Sequence, residues 1–347
     1  MKFSRSIGLL ALIISLYILW QVRQLLLLAF TAIVLATALN KLVIQFQRWK
    51  IRRSLAVLLS LSILLVFLLI FLLLVVPPFV EQLQQLFKLL PTSIAEIQEI
   101  IEYLEIRFWG NLLPEIPDLE GLFQQIQPLI DRFLGLTVDI FTISLNILLQ
   151  LLLVIVLTLM FLSSPRPYRH SFIRLFPSFY RQRVDEVLVR CEEALGNWTI
   201  GVLIEMVFIA AVSGISLWIL QVPLALAHAL IAGLLNLIPN LGPTLSVVFP
   251  MAIALLDAPW KALAVLILYI VIQQIESYWL TPTVMAKQVS LLPAITLLSQ
   301  LFFASFFGFL GLLMALPLTI VIKTWLEELW FKDVLDKWKN PSSATSA

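Results

Sequence analysis

Residues 54–80 read SLAVLLSLSILLVFLLIFLLLVVPPFV, 27 residues without a charge. A helix of that length exceeds the roughly 20 residues needed to cross a hydrocarbon core of about 30 Å. Pro77 and Pro78 end it, because proline removes a backbone donor and disfavours helix in the residue before it. The rest of the chain has the same character. Of its 347 residues 61% are hydrophobic and 13% charged, and the mean hydropathy is +1.01, whereas soluble domains carry roughly a quarter charged residues. Composition therefore excludes a soluble globular protein and predicts an all-α polytopic membrane protein. The net charge of +2, from 23 basic and 21 acidic residues, points to no nucleic-acid partner. The lone Cys191 has no second cysteine for an internal disulfide or a cysteine metal cluster.

Before this run lie two shorter apolar stretches, residues 7–20 and 25–39, separated by a polar break at 21–24 and expected to be two spans joined by a tight turn. After it, residues 81–139 hold ten acidic and three basic residues and several prolines, the composition of a helical insert outside the bilayer. Within the insert Ile94, Ile97, Ile101, Leu104 and Phe108 recur at spacings of three and four, with glutamates between them. That pattern suits either a seam between subunits or packing within the insert. The next span covers 140–162. The basic residues Lys41, Arg48, Lys50, Arg52 and Arg53, then Arg166, Arg169, Arg174, Arg181, Arg183 and Arg190, cluster in two connections. The positive-inside rule places these connections, and both termini, in the cytoplasm and the acidic insert outside. Their other expected role is contact with lipid headgroups.

The carboxyl half is less regular. Residues 198–220 form a fifth span interrupted by Glu205, and 260–280 a sixth. Between them, 224–238 and 243–256 are each only ~22 Å long as helices, too short to span comfortably, and are separated by Pro239, Asn240, Leu241, Gly242 and Pro243. Residues 291–307 and 309–322 repeat the short, paired pattern around Gly308 and Gly311. Paired broken helices are a mark of transporters whose sites lie near the membrane midplane. The expected architecture is about six full spans plus two broken or re-entrant hairpins, with four thin spans in their place as the alternative. By region, 1–80 is scaffold, 81–139 the insert, 140–196 a span and basic segment, 197–325 a transport unit with both hairpins, and 326–347 a cytoplasmic tail.

The stretches LQVPLALAHALIAGLLNLIPNLGP (220–243), QIESYWLTPTVMAKQ (274–288) and FFGFLGLLMALPLTIVIK (306–323) resemble the autoinducer-2 exporter family of bacterial membrane proteins. The likeness covers nearly the whole chain. It implies a secondary transporter of the inner membrane, with roles in that family in export of autoinducer-2 and, for some members, in sodium/proton antiport. The family's usual IPYIG is IPNLG here, with Asn240 in place of tyrosine. Leu292 stands where a histidine is often found, and Ala286 where a glycine is common.

Several residues are candidates for function. Pro239, Gly242 and Pro243 would shape the first hairpin tip and leave the backbone of 238–242 free for an ion or polar solute; Asn236 and Asn240 add side-chain amides. Glu276, flanked by Gln273 and Gln274, and Glu205 are ionisable groups inside spans, each a candidate for ion or proton coupling. Against this, snorkelling, an ion pair with Lys287, or an interfacial position would account for them structurally. His228 is a further titratable group. Gln300 and Ser299 sit similarly in the second pair, where Gly308, Gly311 and Pro317 are expected to serve turning, packing and kinking. No phosphate loop, HExxH or GxSxG occurs, and the two histidines are 58 positions apart, so no cofactor, metal site or enzyme activity is expected. The predicted function is secondary transport of a small polar solute, sodium ion or proton by a homo-oligomer, with a passive channel or non-transporting scaffold as the contrasting possibility.

Overall fold

The computed structural model describes residues 14–15, 17–74, 77, 140–239, 241–285 and 292–335; the acidic insert, Asn240 and Lys287 lie outside these. Among the described residues there is no strand, and six helices are long and apolar enough to cross a membrane. In chain order the helices are α1 (Arg23–Arg48), α2 (Arg53–Leu74), α3 (Ile140–Ser163), α4 (Pro165–Ile173), α5 (Arg181–Ile219), α6 (Ala225–Leu235), α7 (Leu241–Asp257), α8 (Pro259–Ile275) and α9 (Pro293–Trp325). The six long ones are not the six spans expected. The first expected run lies largely outside the described residues, and the last long helix is α9, the second short pair.

Two boundaries differ from the sequence reading for identifiable reasons. The polar break at 21–24 does not reverse the chain: the Ile18 carbonyl accepts from the Val22 N–H at 3.0 Å and the Val22 carbonyl from the Leu26 N–H at 3.1 Å. Gln and Arg are good helix formers, and without glycine or proline a polar patch bends a helix rather than ending it. Likewise α5 starts at Arg181, some four turns before the apolar run. Val184, Val187, Cys191 and Leu195 are buried at helical spacing through this charged stretch, which makes it an amphipathic extension of the span.

The described residues fall into two compact units. The first contains α1, the start of α2, most of α3, α4, α5 up to Leu203, and α9. Its core joins Ala36, Leu39 and Val43 of α1 to Ala56, Val57 and Leu61 of α2 and Leu162 of α3. The turn between α1 and α2 closes with the Ile51 N–H donating to the Phe46 carbonyl at 3.3 Å and Lys50 in the left-handed region (φ 64), a Schellman-type stop. Arg53 donates to the Leu162 carbonyl at the end of α3 at 3.0 Å. Outward-facing side chains such as Leu55, Leu58 and Ile63 of α2 are exposed, as a lipid-facing helix requires.

At the charged end of this unit, Glu328 is 4% exposed and accepts ion pairs from Arg183 at 3.1 Å, Arg190 and Lys332. Arg183 also meets Asp333 and Glu186, at 3.1 and 3.0 Å. A buried carboxylate persists only when its lone pairs are matched, and here three cations match one. The cluster ties the amphipathic part of α5 to residues 326–335 beyond α9, and Trp325 packs on Phe172 and Phe176 beside it.

The second unit contains the end of α2 from Val66, the start of α3, α5 from Ile204, α6, α7, and α8 with its continuation to Pro282. Its core brings together Ile209 and Leu217 of α5, Ala232 of α6, Ala254 of α7, and Ala262, Val265, Tyr269 and Ile272 of α8. Helices α5 and α6 approach closely through small residues: a Cβ on Gly233 would lie 2.6 Å from the Met206 carbonyl oxygen, and one on Gly214 3.0 Å from Ala229. Small residues at such crossings are how membrane helices gain packing where water offers no driving force.

Candidate functional site

The first hairpin, α6–α7, is built on spacing that apolar content alone would not produce. Helix α6 has 11 residues and α7 has 17, about 16 and 25 Å. Between them the chain folds back so tightly that a Cβ on Gly242 would overlap the Leu235 carbonyl oxygen. Pro243 is tolerated because it sits in the first turn of α7. The tip's backbone is less free than the sequence suggests. Ile238 accepts from the Gly242 N–H and Pro239 from the Leu241 N–H, each at 2.8 Å, and the Ile238 N–H donates to Leu235 at 2.9 Å. The turn thus uses several of its own polar groups, so side chains are the main donors and acceptors left for a ligand.

Those side chains converge in the second unit. Glu205, on α5, is 6% exposed, and its Oε1 has no hydrogen-bond partner. The charge of Glu276 acts on it, and Thr281 turns its hydroxyl toward the same carboxyl. Glu276, half-buried at the end of α8, faces the Asn236 side chain at the hairpin tip. Asn236 is 4% exposed and its Nδ2 remains outside hydrogen-bond geometry. Two carboxyls, one amide and one hydroxyl therefore gather from α5, the hairpin tip and the continuation of α8. Such an oxygen-rich set can hold a proton or an alkali cation, and with its amide it can hydrogen-bond the hydroxyls of a polar solute.

Thr281 was not singled out from the sequence, and the reason is geometric. Residues Glu276–Leu280 form a π-type turn in which the Thr281 N–H bonds back to the Glu276 carbonyl. The five-residue step sets Thr281 over Glu276, where an α-helix would have aligned Leu280. Gln274, by contrast, is exposed, and His228 is 2% exposed with neither ring nitrogen hydrogen-bonded. Gln300, Gly308, Gly311 and Pro317 belong to α9, in the first unit. Gln300 is buried there, Gly308 breaks the helix at φ 65, ψ −147, a Cβ on Gly311 would overlap the Phe303 carbonyl oxygen, and Pro317 is buried within the returning arm.

Known proteins match this sequence over most of its length. The chain is 26% identical over 287 residues to YueF of Bacillus subtilis strain 168, a protein assigned to transport without a named substrate; the match covers 81% of this chain and 78% of YueF. It is 25% identical over 309 residues to the AI-2 transport protein TqsA of Escherichia coli strain K12, covering 86% of this chain and 84% of TqsA. The profile of the AI-2E family transporters matches residues 9–330. With six long apolar helices and that match, the protein is a multi-pass membrane protein and belongs to the AI-2E transporter family.

Proposed function

We propose that the protein is a secondary transporter that exports a small polar solute of the autoinducer-2 kind by alternating access, with the first hairpin and the Glu205–Glu276 pair as its binding station. The observation that carries this reading is a carboxyl inside a membrane helix with an unpartnered oxygen, beside a second carboxyl and an unpartnered amide. Ionisable groups are expensive in a span, and such a cluster is retained where a ligand relieves it. TqsA, which carries AI-2 by its name, supports the substrate class. The second reading, sodium/proton antiport, rests on the same two carboxyls, since a pair of them can exchange one cation for another.

Flux into sealed liposomes containing the purified protein separates the two. Imposed sodium and proton gradients, read with an internal pH dye, should drive proton movement in the wild type and not in Glu276→Gln if the pair couples ions. Autoinducer-2 flux without proton movement would favour uncoupled export. Absence of both would leave a channel or scaffold role and end the transport reading. The amphipathic pattern expected from Ile94, Ile97 and Ile101, with the long apolar run 54–80, motivates a homo-oligomer, and crosslinking in native membranes that yields monomers alone would remove that part.

A further inference from the structure

A second group of polar side chains lies deeper in the same unit and is used by nothing described so far. Ser213 of α5, His228 of α6 and Tyr269 of α8 are 0%, 2% and 7% exposed. Ser213 Oγ, both His228 ring nitrogens and the Tyr269 hydroxyl have no hydrogen-bond partner in the protein. The Ser213 and Tyr269 hydroxyls face one another outside hydrogen-bonding geometry. Register carries His228 to the same level. It precedes by one turn Ala232, which packs in one cluster with Tyr269, Ile209 and Leu217, and Ser213 stands midway between the last two. The next residue of α6, Ala229, lies against Gly214.

We propose that Ser213, His228 and Tyr269 form a buried station for bound water, set apart from the hairpin site by one apolar layer. Two hydroxyls and an imidazole supply both donors and acceptors, which suits a hydrogen-bonding ligand such as water. Water in a protein interior takes two to four such partners. Native proteins leave few buried polar atoms unmatched, and four on three side chains that register brings to one level is a concentration that a shared ligand resolves. Glu205 and Ser213 are eight residues apart on one helix face, about 12 Å. Ile209 and Ala232, with Ile272 of α8, form the apolar layer between the two polar levels. That the station serves transport rests on the reading above; that it holds water does not.

Hydroxyl-radical labelling by short X-ray pulses, applied to the full-length protein in nanodiscs and read by mass spectrometry, tests the station without any transport assay. Radicals form from the bound water itself, so Tyr269 and His228 should be oxidised within about tenfold of the rate of exposed His170 and of Phe179 despite their burial. Ser213→Ala should reduce Tyr269 labelling severalfold. Rates for Tyr269 and His228 about a hundredfold below the exposed controls would mean a dry site and overturn the proposal. A thermal melt gives the independent reading: if the station holds water, Ser213→Ala and Tyr269→Phe melt no higher than the wild type. If both melt higher, the hydroxyls were unmatched in a dry core, and the station is refuted.

Discussion

The two broken helical pairs solve one geometric problem with different chemistry. In the first, α6 and α7 are joined by a five-residue tip around Pro239, and the glycine of the return arm, Gly242, lies against the Leu235 carbonyl. In the second, α9 turns at the single residue Gly308, and Gly311 of the return arm lies against the Phe303 carbonyl. Each return arm thus meets a carbonyl seven or eight residues back through a residue with no side chain. The linings differ more than the geometry. The first pair holds Asn236 and His228 buried with unpartnered atoms, while in the second a cleft is lined by Leu298, Leu301, Phe302 and Phe303 together with the hydroxyls of Ser299, Ser305 and Thr319. The folding back is similar and the linings differ, the second being the richer in aromatic side chains, so the lining is the feature on which a difference in solute handling can be tested.

Substitutions can break this parallel or sharpen it. The largest expected effect is from Gly242→Ala and Gly311→Ala. Each places a methyl group inside a backbone carbonyl, so each should cost at least about 3 kcal/mol and reduce the yield of folded protein in detergent, scored by monodisperse elution. If only one of the two is damaging, the hairpins do not share their packing device. Gly308→Ala should cost less, about 2 kcal/mol: nothing lies within 4 Å of the new Cβ, so the penalty is the backbone conformation alone. Its thermal midpoint should fall while the corresponding change in the first tip, Pro239→Ala, has a smaller effect. Asn236→Leu should lower solute flux in liposomes about tenfold, or ~1.4 kcal/mol, with folding retained. Ser299→Ala, in the second pair, should leave flux within about twofold, which is under ~0.5 kcal/mol. Equal losses in both would remove the functional asymmetry. A gain in stability is expected at the entry to the first pair, where Leu224 adopts φ 52. Leu224→Gly relieves a left-handed residue and should raise the melting midpoint, by about 1 kcal/mol of stability.

Much of this was legible in the chain because backbone breaks are written in single residues. Pro239 with Gly242 and Pro243, and Gly308, announce where helices must turn. The first two boundaries went wrong where composition was read in place of helix chemistry. Residues 21–24 are polar yet helix-competent, and residues 181–197 are charged yet carry Val184, Val187, Cys191 and Leu195 on one face. The convergence of Glu205 with Glu276, and of Ser213 with Tyr269, could not be read at all. It depends on how α5 and α8 pack, and each helix alone shows only an isolated polar residue in an apolar run. Thr281 needed finer knowledge still, since the π-type turn that aligns it with Glu276 has no sequence signature beyond the residues themselves.

The buried Glu328 cluster also sets an order of events in synthesis. Its partner Arg183 lies 145 residues earlier in the chain. At five to twenty residues per second, about 7 to 30 s pass between the appearance of the two at the ribosome. Throughout that interval Arg183 and Arg190 emerge beside the membrane without their carboxylate, and the amphipathic stretch of α5 has no clasp. A segment made late is therefore the one that fastens the middle of the protein, and a chain stopped short of Glu328 would leave Arg183 with Glu186 alone and Arg190 without its carboxylate.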